Sequence, residues 1–147
     1  NNMNEKKALI KWFSNYEWDV FGTLTFKYSL KEFDAEKVLK LYWNKIDKYY
    51  YGNKSHRNNL RISKVCCLQK GTNNNNVHFH FLAKKPANIK REKFKYALND
   101  FWHNNIREAG KEVKFRDVDI IKKDINYLMH EFYKLGTDTF IPSASNF

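Results

Sequence analysis

The segment Val77-His78-Phe79-His80-Phe81 constrains this chain more than any other. Strand side chains alternate between two faces. Val77, Phe79 and Phe81 therefore take one face, apolar enough to enter a core. His78 and His80 take the other, about 6–7 Å apart along the strand. The alternation predicts a sheet with one face packed and two imidazoles on the reverse. Two imidazoles at that spacing are able to hold one cation between them. The plainer alternative is a pair of exposed histidines on a solvent face.

Leu60–Lys70 and Val77–Lys84 flank a turn rich in Gly, Thr and Asn and read as an antiparallel hairpin. Across that hairpin Gln69 offers a side-chain carbonyl oxygen as a third ligand. Two nitrogens and one oxygen suit Mg²⁺ or Mn²⁺ when phosphate and water complete the shell. Cys67 shares the strand face of Gln69, and a thiolate there would favour Zn²⁺ instead. Cys66 and Cys67 are the only cysteines. As sequence neighbours they make a poor disulfide, so they read as free, small, buried residues in a reducing compartment.

Val20–Lys27 reads as a strand, with Leu24 and Phe26 pointing one way and Thr23 and Thr25 the other. Ala35–Tyr50 reads as a helix that buries Val38, Leu41, Tyr42, Ile46 and Tyr49, with Asp34 as N-cap. Lys90–Ile106 places Phe94, Leu98, Phe101 and Trp102 on one helical face, and Gly110 ends the segment. Val113–Ile120 alternates as a strand. Ile121–Leu135 is helical and ends at Gly136. No element is assigned before Val20. The order β, α, β, β, α, β, α predicts one α+β domain over residues 1–136, an antiparallel sheet with helices packed on one side. Residues 137–147 read as a tail or the start of a linker.

In the last helix Ile121, Ile125, Leu128 and Phe132 form a core-facing stripe. Tyr127 points away from it, and Lys123, His130, Glu131 and Lys134 share its face. An outward tyrosine is usually unremarkable. Ringed by cations and beside a metal, its phenol (ordinary pKa near 10) becomes a candidate nucleophile.

Composition narrows the partner. Lys plus Arg is 27 and Asp plus Glu is 16, a formal net charge of +11 with a pI near 9.6. A domain this basic takes nucleic acid as its first expected partner and an anionic membrane as its second. A lysine- and asparagine-rich proteome is the bland explanation. Aromatics at 17% argue against disorder despite a mean hydropathy of −0.77. No apolar run approaches the ~20 residues of a membrane span, and no membrane partner is expected.

Three segments in this order resemble the HUH endonucleases, most closely the rolling-circle replication initiator (Rep) proteins. They are the strand Phe21-Gly22-Thr23-Leu24-Thr25-Phe26, the pair His78-Phe79-His80, and the helical Tyr127-Leu128-Met129-His130. The resemblance spans Phe21 to Lys134. It implies an RRM-like central antiparallel sheet of about five strands. It implies a divalent cation, Mg²⁺ or Mn²⁺ rather than Zn²⁺, on His78, His80 and Gln69, although the family usually has Glu where Gln69 stands. It implies Tyr127 as the nucleophile; His130 stands where the family usually has Lys, and Lys134 or Lys123 is the expected source of the cation instead. Thr23, Thr25, Lys27 and Lys123 are the expected DNA contacts.

The implied activity is nicking and rejoining of single-stranded DNA through a 5′-phosphotyrosine, at the origin hairpin of a plasmid or single-stranded DNA virus. The implied setting is an intracellular monomer, cytoplasmic in a bacterium or nuclear in a eukaryotic host. A relaxase or single-tyrosine transposase is the nearest alternative. A non-catalytic single-strand-binding module is the alternative of another class, with Tyr16, Trp18, Phe21, Trp43 and Trp102 as stacking platforms.

Overall fold

The computed structural model describes residues 2–70, 77–111, 114–118 and 145–146. Helix α1 (Asn2–Ser14) is followed by β1 (Val20–Leu24), α2 (Glu32–Tyr51), β2 (Lys64–Gln69), β3 (His78–Ala83), α3 (Arg91–Asn105) and β4 (Lys114–Asp117). The strands form one sheet in the order β2-β3-β1-β4, with every neighbouring pair antiparallel. The α+β class and the antiparallel sheet are as expected. Four strands are present among the described residues, against about five expected. The helix expected over Ile121–Leu135 lies outside the described residues.

Alternation divides each strand between two layers. Val20, Leu24, Cys66, Leu68, Phe79, Phe81 and Ala83 join α2 and α3 in the main core, with Trp43, Tyr42 and Trp102 at its centre. The Tyr42 hydroxyl donates to the Leu98 carbonyl oxygen at 2.7 Å, so a phenol fully inside the core keeps its hydrogen bond and locks α2 to α3. The ring of Phe81 lies over Gly22 so closely that a Cβ there would overlap it, which is why the middle of β1 carries glycine.

The second face is not open. Trp18, Phe21, Val65, Cys67 and Leu82 form a smaller cluster there, and Leu9 and Ile10 of α1 pack against it with Val118. Helices therefore cover both faces, where the sequence predicted one. With its apolar contacts concentrated at Leu9 and Ile10, α1 shows little helical repeat until the sheet face it covers is known.

Element edges move for identifiable reasons. Helix α2 starts after Lys31, which makes no side-chain cap hydrogen bond. Asp34, expected as the cap, sits instead in the first turn beside Glu32, where carboxylates meet the positive end of the helix dipole. Its buried side is Ala35, Val38, Leu39, Tyr42, Trp43, Ile46 and Asp47. Leu41 and Tyr49, expected inside, are 48% and 62% exposed. Helix α3 stops at Asn105, short of Gly110. The following residues turn back along β1: Lys27 N–H donates to Glu108 O, Gly110 N–H donates to Thr25 O, and Phe26 bridges Ala109. A Cβ on Gly110 would stand 2.9 Å from the Thr25 carbonyl carbon and oxygen. That glycine thus serves a close backbone approach rather than a helix end. At the outer edge of β2, Asn146 pairs with Lys64, and Ser145 Oγ accepts from Cys66 N–H. This part of the expected tail lies against the sheet.

Candidate metal centre

Register assembles the centre. Pairing of β2 with β3 sets Gln69 opposite His78 and Cys67 opposite His80. Pairing of β1 with β3 sets Thr23 opposite His80. Residues paired across an antiparallel ladder share a face, so Thr23, Gln69, His78 and His80 converge beside the smaller apolar cluster.

The geometry is tight. Gln69 Oε1 lies 3.0 Å from His78 Nε2 and 3.0 Å from His80 Nε2. The two imidazole rings meet edge to face, with centroids 5.2 Å apart and planes at 90°. Thr23 Oγ1 lies 2.9 Å from His80 Nδ1. The ring of Phe21 leans on the His80 ring from the apolar side, 5.5 Å between centroids. His80 and Gln69 are 2% and 3% exposed, while His78 is half-buried and forms the accessible side. Low local dielectric strengthens whatever polar interaction these groups make.

Both Nε2 atoms donating to Oε1 is one consistent protonation pattern, with Thr23 donating to His80 Nδ1. The other places the His80 proton on Nδ1, donated to Thr23 Oγ1, and frees the Nε2 lone pair. A hydroxyl serves either tautomer. Donors about 2.1 Å from an octahedral cation stand about 3.0 Å from their neighbours. The two Nε2-to-Oε1 spacings have that length. That length is equally an ordinary N–H···O hydrogen bond, so the two nitrogens and one oxygen of His78, His80 and Gln69 are spaced compatibly with either a hydrogen-bonded triad or a divalent-cation donor set. Among the described residues no three His, Cys, Asp or Glu side chains gather into a metal-holding group.

Cys67, the zinc alternative, is packed with Phe21, Val65 and Leu82, and burial pushes its thiol well above its ordinary pKa. Cys66 is likewise buried and is pushed up to about 12. Both are free thiols, as their adjacency predicted.

The other anticipated site residues fall in three places. Thr23 meets the His80 ring, a supporting contact that the motif alone did not suggest. Thr25 follows β1, its carbonyl engaged by Gly110, and Lys27 is exposed with its ammonium 5.8 Å from the Tyr28 ring. Lys123, Tyr127, His130 and Lys134 lie outside the described residues. The Thr23 contact is legible only in part: alternation puts Thr23 and Thr25 on one face, but register alone decides which meets which histidine. Of the five aromatic residues considered for base stacking, Trp18, Phe21, Trp43 and Trp102 are core, and only Tyr16 is exposed. No helix among the described residues is long and apolar enough to cross a membrane.

The comparisons with known proteins add no relative: no family model matches the chain, no curated protein matches it, and no solved structure matches it.

Proposed function

We propose that the chain nicks and rejoins single-stranded DNA as an HUH-type endonuclease, in the manner of a rolling-circle replication initiator. The convergence of His78 Nε2 and His80 Nε2 on the single oxygen of Gln69, 3.0 Å from each, carries this reading. Two histidines of an alternating strand and one amide oxygen are a donor set for Mg²⁺ or Mn²⁺. Such a cation, when bound, supplies Lewis-acid polarisation of the scissile phosphate.

The chain's own residues do the rest. Thr23 holds the His80 ring in one orientation. The phenolate oxygen of Tyr127 forms a bond to phosphorus as the bond from phosphorus to the 3′-oxygen breaks. The phenol proton leaves to solvent, and the departing oxygen takes up a proton as the 3′-hydroxyl. The products are a 5′-phosphotyrosine and a free 3′-OH, and reversal of the same exchange rejoins a strand without an external energy source. Lys134 and His130 are the residues proposed to assist the phenolate. Thr25, Lys27 and Lys123 are the proposed DNA contacts. The +11 charge supplies salt-sensitive affinity for the DNA backbone. Gln69 in place of a carboxylate makes the cation weakly held, because the set then carries no anionic ligand.

The test is covalent capture. Wild type, Tyr127→Phe and His78→Ala are incubated with Mn²⁺ and a labelled random pool of single-stranded DNA, and adducts are resolved on a denaturing gel. An adduct from wild type alone, with its DNA end sequenced, establishes nucleophile and nick site together. An adduct from Tyr127→Phe removes Tyr127 from the role. Tight, salt-sensitive binding with no adduct from any form moves the assignment to a single-strand-binding module. A dimer in solution would shift the choice within the superfamily towards the single-tyrosine transposases.

A further inference from the structure

On the opposite face of the sheet, at the other end of β2, a cavity of about 50 Å³ is lined by Lys40, Asn44, Asp47, Arg61, Lys64 and Ser145. Lys64 is 4% exposed. Its ammonium has three protons to place. One reaches the Ile62 carbonyl oxygen at a long 3.3 Å, and the Trp43 ring lies 5.2 Å away. Among the described residues Lys64 forms no ion pair. Asp47 is the carboxylate beside it, but Oδ1 accepts from Ile62 N–H at 2.8 Å and Oδ2 faces His56 Nε2 at 3.2 Å. Burial lowers the Lys64 pKa, and only part of that loss is offset by Asp47.

A buried cation short of acceptors is costly unless something completes it. Lys40 and Arg61 stand exposed at the rim and add charge of the same sign. Ser145 Oγ, also on the lining, accepts from Cys66 N–H. Among the described residues the lining therefore sets three cations, Lys40, Arg61 and Lys64, against the single carboxylate of Asp47, which is already engaged by Ile62 and His56. A single water needs only about 10–15 Å³ of such space, so this volume accommodates a larger polar group.

We propose that this cavity is an anion site that takes a phosphate group, with Lys64 at its floor and Lys40 and Arg61 at its mouth. The phosphate belongs either to a small phosphorylated molecule or to a nucleic-acid backbone. The site is independent of the nicking reaction, being separated from His78 and His80 by the sheet.

Inorganic phosphate is the probe, titrated into the full chain at constant ionic strength and followed by ³¹P NMR. Wild type should show saturable binding, and Arg61→Ala and Lys64→Met should each weaken it about tenfold or more, as loss of a charge-assisted contact predicts. Arg61 is exposed, so its variant is readable even if Lys64→Met fails to fold. No saturable binding by wild type, or equal binding by wild type and Arg61→Ala, overturns the proposal. A single-stranded oligonucleotide then distinguishes the source. Displacement of bound phosphate, with weaker oligonucleotide binding by Arg61→Ala, identifies a backbone phosphate. Phosphate that stays bound beside the oligonucleotide identifies a small phosphorylated molecule. Failure of DNA nicking would leave both phosphate results standing.

Discussion

The hydroxyl oxygen of Thr23 lies 2.9 Å from Nδ1 of His80, brought there by the direct pairing of the two residues across β1 and β3. A partner on the far nitrogen of a ligating imidazole sets its tautomer and its aim, and such partners are worth about 10–100-fold in metal affinity. Thr23→Val keeps the shape and removes the hydroxyl. It should weaken Mn²⁺ binding about tenfold or more, and Thr23→Ser should restore it. Electron paramagnetic resonance of free Mn²⁺ during titration reads the effect directly. Equal affinity in the Val variant would show that the hydroxyl has no part in holding the cation.

Gln69 tests the ligand set itself. Gln69→Glu replaces a neutral oxygen with an anionic one at the point where both imidazoles converge. Ligand charge is a main determinant of affinity for hard cations, so the variant should bind Mn²⁺ about tenfold more tightly, a difference of about 1.4 kcal/mol. Its unfolding temperature should also rise more steeply with added Mn²⁺ than that of wild type. Gln69→Leu should lose most of the binding. A Glu variant that binds no more tightly than wild type would remove residue 69 from the set.

Gly22 tests the packing that holds β1 in place. A methyl group there must displace the ring of Phe81, which is fully buried in the main core. Overpacking of this kind costs about 1–3 kcal/mol. Urea denaturation of Gly22→Ala should show a lowered midpoint with an unchanged slope. Phe81→Leu combined with Gly22→Ala should recover part of the loss, because the smaller side chain gives up the space. An unchanged midpoint in the single variant would mean that the ring is free to move.

The two thiols give a chemical probe of the sheet. Burial pushes Cys66 up to about 12 and Cys67 well above its ordinary value. The reactive species is the thiolate, so neither should be labelled by a disulfide reagent in the native state, even at pH 9. Both should react once denaturant is added. Rapid native labelling of either thiol would place it outside the packed layers described here.

Much of the candidate centre was legible because its parts lie close in sequence. The alternation of Val77–Phe81 has one strand solution, and the polar composition of residues 71–76 predicts a hairpin, in keeping with the pairing of Gln69 opposite His78. The α2 helix was legible as a helix but not in its orientation. Leu39, Leu41, Tyr42 and Trp43 crowd its middle with apolar groups on nearly every side, so periodicity leaves Leu39 and Leu41 equivalent. Only docking on the sheet buries the first and exposes the second. Gly110 misled for a similar reason. A glycine after a helix suggests an end, whereas its purpose here is the close approach to Thr25.

By itself the sequence determined the strand and helix order from Val20 through Gly110, though not helix α1, together with the inward and outward faces of the central hairpin and the paired histidines on the reverse of a packed face. These follow from local sterics and side-chain period, which act within a few residues. Tertiary structure decided which strands are neighbours, and therefore that Thr23 meets His80. It decided that α1 covers the second face and that Lys64 is buried beside Asp47. Each of these depends on contacts between segments distant in sequence, where the burial of apolar surface and the placement of polar groups are settled together and no local pattern specifies the partner.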